Sequence, residues 1–143
     1  MEISINIEKN EKERENKLFR GFGMVSANNS SRLLLDYKLE HPRRYRQILE
    51  LIFGEKGLNI CHLKVEAGAD INSSSGTEPC TMRSRGEKAD VRRGAAYILA
   101  ADAKKINPKL TLDILYWSEP KWVTDSADVF EARYKWYKDT LNA

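Results

Sequence analysis

Apolar positions along this chain recur every second residue in some blocks and every third or fourth in others. Residues 2–7 (EISINI) put Ile3, Ile5 and Ile7 on one side, which predicts a short strand. Residues 8–17 are almost all charged or amide-bearing and read as an exposed turn or short solvated helix. Residues 18–26 (LFRGFGMVS) read as the first buried strand, with Gly21 and Gly23 marking a close backbone approach or a bend. A polar loop at 27–32 leads to a brief apolar segment, 33–37, whose pattern does not settle its type. Pro42 suits the first turn of a helix, Tyr45, Ile48, Leu49, Ile52 and Phe53 follow at helical spacing, and Gly54 and Gly57 end it.

Strict alternation returns at 58–66. Ile60, His62, Lys64 and Glu66 fall on one face, and Cys61, Leu63 and Val65 on the other. The apolar face suits packing under helices. The charged face is either the wall of a polar pocket or the solvated side of an edge strand. A long polar loop then runs through G-T-E-P at 76–79 to Cys80. Residues 90–106 predict a second helix with Ala96, Leu99, Ala100 and Ala103 as its inner stripe, stopped by Asn107 and Pro108. Residues 110–118 (LTLDILYWS) predict a third strand, 119–126 a loop, and 128–141 a third helix with Phe130, Tyr134 and Tyr137 or Leu141 on one face.

Strand and helix therefore alternate, which predicts an α/β fold with parallel strands joined by right-handed crossovers. Two architectures fit: a small open sheet, or the first three βα units of a (β/α)8 barrel, which usually needs about 250 residues. In either, the chemistry belongs on loops at the carboxyl ends of the strands.

Composition changes this picture little. A length of 143 residues with 41% apolar and 31% charged positions fits one globular domain and argues against wholesale disorder. A net charge of +3 selects no partner. Arg83, Arg85, Lys88, Arg92 and Arg93 cluster, but Glu87 and Asp90 interrupt them and no aromatic residues interleave, so no nucleic acid is expected as a partner. Cys61 and Cys80 lack metal-ligand spacing, Cys61 reads as a small core hydrophobe, and no cofactor or metal is expected. Residues 1–20 hold no apolar run of signal-peptide length and no segment approaches a membrane span, so a literal reading keeps the chain in the cytoplasm.

Candidate chemistry gathers at the strand exits. Glu66, Asp70 and Glu78 surround the second, and Asp113, Glu119 and Asp125 lie on or after the third. Paired carboxylates serve glycoside hydrolysis, while single ones more often cap loops. Trp117 and Trp122 bracket the third exit, either as platforms for a sugar or lipid or as core. His41 opens a helix, and His62 on the charged face is the better functional candidate, with a hydrogen-bonded barrel histidine as the plainer reading. No phosphate cradle, G-x-S-x-G elbow or H-E-x-x-H is present.

Several motifs occur in order: G-F-G-M-V-S at 21–26, S-R-L-L at 31–34, L-K-V-E at 63–66, Asp70, G-T-E-P at 76–79, A-K-K at 103–105, N-P at 107–108 and W-S-x-P-x-W at 117–122. Together they resemble glycoside hydrolase family 59 over about residues 18–125. The resemblance implies residues 18–143 as part of a (β/α)8 barrel behind a tail at 1–17. It also implies retaining hydrolysis of β-galactosides, galactosylceramide in animals, by lysosomal or secreted enzymes. It assigns galactose contacts to Thr77 and Trp117, a hydroxyl and an indole suited to a sugar. The family's acid/base follows an asparagine on the fourth strand and its nucleophile comes from the seventh, so neither falls within these 143 residues, and this chain alone is expected to be inactive. Val91, Arg92, Ala95 and Ala96 stand where the family has aromatics. Glu119 and Lys121 replace an aromatic and a glycine, departures that fall on the outer subsites and the lipid preference. Family 30 shares the opening G-F-G, but the G-T-E-P and W-S-x-P-x-W motifs favour family 59. A non-catalytic remnant or binding protein is the rival from another class.

Overall fold

The computed structural model describes residues 19–71 and 76–143. The expected strand at 2–7 and the charged stretch at 8–17 lie outside these residues. Three strands, β1 (Gly23–Ser26), β2 (His62–Glu66) and β3 (Thr111–Leu115), form a parallel sheet in the order β1-β2-β3. Helices α1 (Arg32–Glu40) and α2 (Pro42–Phe53) carry the chain from β1 to β2, and α3 (Ala95–Ile106) carries it to β3. A short α4 (Lys121–Thr124) and α5 (Val129–Leu141) follow. The α/β reading with parallel strands holds. Because β2 is the central strand, its charged face is not that of an edge strand.

The register sorts side chains by face. Val25, Lys64 and Asp113 lie side by side on one, while Ser26, Val65 and Ile114 do so on the other. The second face takes the helices. Leu63 and Val65 meet Tyr45, Leu49 and Phe53 of α2 and Leu99, Ala100 and Ala103 of α3 in the main core. Alanines on α3 let the helix backbone approach the sheet closely, and Leu99 fills the space between. A second core under the loops joins Ala67, Met82, Val123, Ala132 and Trp136. The Trp136 indole N–H donates to Thr81 Oγ1 at 3.2 Å, and Thr81 and Thr140 share a 2.7 Å hydrogen bond, which pins α5 to the loop after β2.

Several expectations change. The apolar segment at 33–37 is helical, within α1, although only Leu35 is fully buried there. Ile60 belongs to the main core and not to the charged face, because the strand starts only at His62. Asn59 takes a left-handed φ of 49° and the Ile60 N–H bonds to Ile52 O at 3.0 Å, so alternation cannot be counted back past residue 62. The helix expected from Asp90 opens as a single 3-10 turn at Val91–Arg93, and extended Gly94 separates it from α3. The loop at 119–126 contains α4. On α5 the buried face is Ala132, Trp136 and Thr140, whereas Phe130, Tyr134 and Leu141 are exposed.

Candidate functional site

The loops that leave β1 and β2 meet above the sheet. Glu66 ends β2 with its carboxylate buried, and its Oε2 accepts the Asn28 N–H at 2.6 Å. Glu78 is 1% exposed, and its Oε2 accepts the next amide, that of Asn29, at 2.7 Å. Asn28 and Asn29 both adopt left-handed φ, 53° and 58°, a conformation asparagine tolerates better than most side chains. Burial raises the ionisation of Glu78 above the usual carboxylate range and the negative charge of Glu66 adds to this, while the amides of Asn29 and Ala96 oppose it. The other oxygen, Oε1, is buried close to Gly94 at the start of α3, where the Ala96 amide is near enough to lower its ionisation but does not reach hydrogen-bond geometry. Thr77 stands next to Glu78, half-buried, beside the exit of β2.

At the exit of β3 the two tryptophans part company. Trp117 is 64% exposed, two residues past Leu115, which pairs with Glu66 across the strands. Trp122 is half-buried on the second core and donates its indole N–H to Met82 O at 2.8 Å. Glu119 is buried against α5, where both its oxygens accept from Arg133, whose guanidinium also lies over the rings of Tyr116 and Phe130. It therefore turns away from the sheet's open face.

The remaining candidates are engaged locally. Asp70, left-handed at φ 59°, accepts from Arg83 and from the Cys80 N–H, and the Arg83 hydrogen bond holds its ionisation below the usual range despite some burial. Asp113 pairs with Lys64 at 3.2 Å and lies 3.8 Å from His62, so the charged face of β2 is half-exposed and internally balanced. Asp125 pairs with Lys121. Arg85, Arg92 and Arg93 each meet a carboxylate too: Glu131, Asp90 and Glu87. His41 caps α2. Cys61 is half-buried, not core: its thiol donates to Arg20 O at 3.1 Å, and Gly21 packs so tightly on the sulfur that a Cβ there would sit 2.0 Å away. Cys80 is buried, which pushes its thiol up to about 11. No helix among the described residues is long and apolar enough to cross a membrane.

A family model for glycosyl hydrolase family 59 matches residues 19–143. The chain belongs to glycosyl hydrolase family 59. Within the family it is 41% identical over 107 residues to galactocerebrosidase of Danio rerio, covering 73% of this chain and 16% of that protein. The human galactocerebrosidase is 40% identical over 113 residues, 77% of this chain and 16% of the relative. A putative galactocerebrosidase of Caenorhabditis elegans is 32% identical over 139 residues, 90% of this chain and 21% of the relative. The chain thus spans about a sixth to a fifth of the length of these curated relatives. Among solved structures, an endo-β1,6-glucanase superposes with a TM-score of 0.52 at 24% identity, covering 72% of this chain and 22% of that one. SrfJ from Salmonella typhimurium gives the same TM-score at 15% identity over 85% of this chain and 29% of its own. Those likenesses concern the fold alone.

Proposed function

We propose that residues 18–143 form the first three βα units of a (β/α)8 barrel in a galactosylceramidase-like retaining glycosidase that acts on β-galactosides such as galactosylceramide. Membership of a family whose curated relatives are named galactocerebrosidase carries this reading. Parallel strands and helix crossovers in the order a barrel requires support the architecture.

Thr77 and Trp117 are the residues proposed to meet the sugar. They follow adjacent parallel strands at their carboxyl ends, where such folds place substrate. A threonine hydroxyl donates to or accepts from a galactose hydroxyl, and an exposed indole offers a flat apolar surface to the pyranose ring. Retaining hydrolysis needs an acid/base and a nucleophile with carboxyl groups about 5–5.5 Å apart. The candidate carboxylates here are committed elsewhere: Glu66 and Glu78 to main-chain amides, Glu119 to Arg133, Asp113 to Lys64. Residues 1–143 should therefore bind sugar at most, without turnover.

Reading the coding DNA past the codon for Ala143 and expressing the extended polypeptide tests this. It should hydrolyse an aryl β-galactoside in preference to the β-glucoside, while residues 1–143 hydrolyse neither. A glucoside preference would favour a family 30-like specificity. A stop codon directly after Ala143 would favour a non-catalytic remnant.

A further inference from the structure

Thr77 is flanked by two residues that both grip the same dipeptide of another loop. On one side, Gly76 lies so close to Asn28 that a Cβ on it would stand 2.4 Å from the Asn28 carbonyl oxygen, and its φ of 132° also disfavours a side chain. On the other, the Glu78 carboxylate accepts the Asn29 N–H at 2.7 Å. The Asn28 peptide is itself held from below, because the carboxylate of Glu66 accepts its N–H at 2.6 Å. Consecutive backbone N–H groups in a turn form a concavity suited to negative charge, and here each N–H takes one carboxylate. Both carboxylates are buried, so their charges face these amides with little screening by water.

The backbone of Glu78 is fixed as well. Its carbonyl accepts the Asp70 N–H at 3.3 Å, and Gly68 packs against it closely enough that a Cβ would lie 2.2 Å from that oxygen. Residues 76–78 are thus located by β2 through Gly68 and Asp70, and by the β1 loop through Asn28 and Asn29. We propose that Glu66 and Glu78 are positioning residues for Thr77, a two-carboxylate clasp that sets where its hydroxyl stands by holding the β1 loop against residues 76–78. The relevance to galactosides rests on the function proposed above, but the clasp itself does not.

The clasp is testable in the 143-residue chain by amide exchange and heteronuclear NMR. Glu66 is the informative position, since it is far from Thr77 in sequence. Losing a hydrogen bond to a charged acceptor should speed exchange at Asn28 roughly ten- to hundredfold in Glu66→Ala, and less in Glu66→Gln, which keeps a neutral acceptor. The proposal requires that both substitutions also move the Thr77 methyl and Gly76 amide signals, in the same order of size, while Leu99 and Ala103 in the main core stay put. Altered exchange at Asn28 with an unmoved Thr77 would overturn it.

If Glu66→Ala fails to fold, acid titration of the unaltered chain is decisive. Burial and the negative charge of Glu66 raise Glu78, and Tyr97 of α3 feels the charges of both carboxylates. The Asn28, Asn29 and Thr77 signals should then move together as Glu78 takes up its proton, and a midpoint for Thr77 apart from that of Asn28 and Asn29 would overturn the clasp. Adding galactose separates this result from the function. A chain that ignores galactose while Thr77 follows Glu66 retains the clasp and loses only the sugar reading.

Discussion

At the scale of single residues, two carboxylates on one loop pull the pH dependence of stability in opposite directions. Asp70 is held below the ordinary range by Arg83, so it contributes stability above that range and loses it as the pH falls through its depressed pKa. Glu78 is raised by burial and by Glu66, so its folded form holds a proton longer than its unfolded form. Its contribution is therefore greatest in acid and declines as the pH rises through the ordinary carboxylate range to its raised value. Thermal melts across that range should show Asp70→Asn removing an acid-side loss and Glu78→Gln removing an alkaline-side one. The proposed sugar contacts belong to this scale too. In an extended, active polypeptide, Thr77→Ala should lower kcat/KM for a β-galactoside by about ten- to a hundredfold, through loss of one or two hydrogen bonds. Trp117→Ala should lower it by at least about tenfold, and near-native kinetics in either variant would remove that residue from the site. Of these residues, the glutamates were visible in the sequence as acids near a strand exit. Their partners were not, because main-chain N–H groups of Asn28 and Asn29 leave no mark in a side-chain pattern.

At the scale of elements, legibility followed how one-sided each segment is. All the apolar residues of α2 but Leu51, which is 64% exposed, favour one face, where Tyr45, Leu49 and Phe53 are buried as their spacing predicts and Ile48 and Ile52 half-buried. The inner stripe of α3 is buried in full: Ala96, Leu99, Ala100 and Ala103. In α1, Leu33 and Leu39 face solvent while Leu35 is buried, so no single period stands out. In α5 the sequence pattern points the wrong way. The large residues Phe130, Tyr134 and Tyr137 or Leu141 form the conspicuous stripe, yet of these only Tyr137 packs partly on the core, and Trp136 goes inside with two small neighbours, Ala132 and Thr140. Size within the α3 stripe is open to test. Ala103 is 0% exposed, so Ala103→Leu should overpack the seam with the sheet and cost about 1–3 kcal/mol in urea unfolding. Ala101→Leu, at an exposed position of the same helix, should stay within about 0.5 kcal/mol.

At the scale of the whole molecule, β1 and β3 each keep one edge unpaired among the described residues. Exposed apolar side chains accompany them: Phe22 and Leu33 toward one end of the chain, Phe130 and Tyr134 toward the other. Open parallel edges on a chain that also exposes such side chains invite further strands, from the same polypeptide or another. Purified as 143 residues, the protein should sediment above its 16.4 kDa monomer mass as concentration rises. Leu33→Lys combined with Phe130→Lys should move it back toward that mass, both positions being well exposed at 67% and 80%. Mass independent of concentration in the unaltered chain would show that the edges are satisfied some other way.

The three tryptophans of this chain also occupy three different environments. Trp136 is fully buried, Trp122 is half-buried with its N–H taken by Met82, and Trp117 stands 64% in solvent. Native fluorescence should therefore divide into a blue-shifted component that acrylamide scarcely reaches and a red-shifted one that it quenches readily. Unfolding merges the two, whereas a galactoside seated on Trp117, as proposed, should shield only the quenchable part. Without any added dye, the protein's own emission distinguishes a chain that has lost its fold from one whose Trp117 is covered.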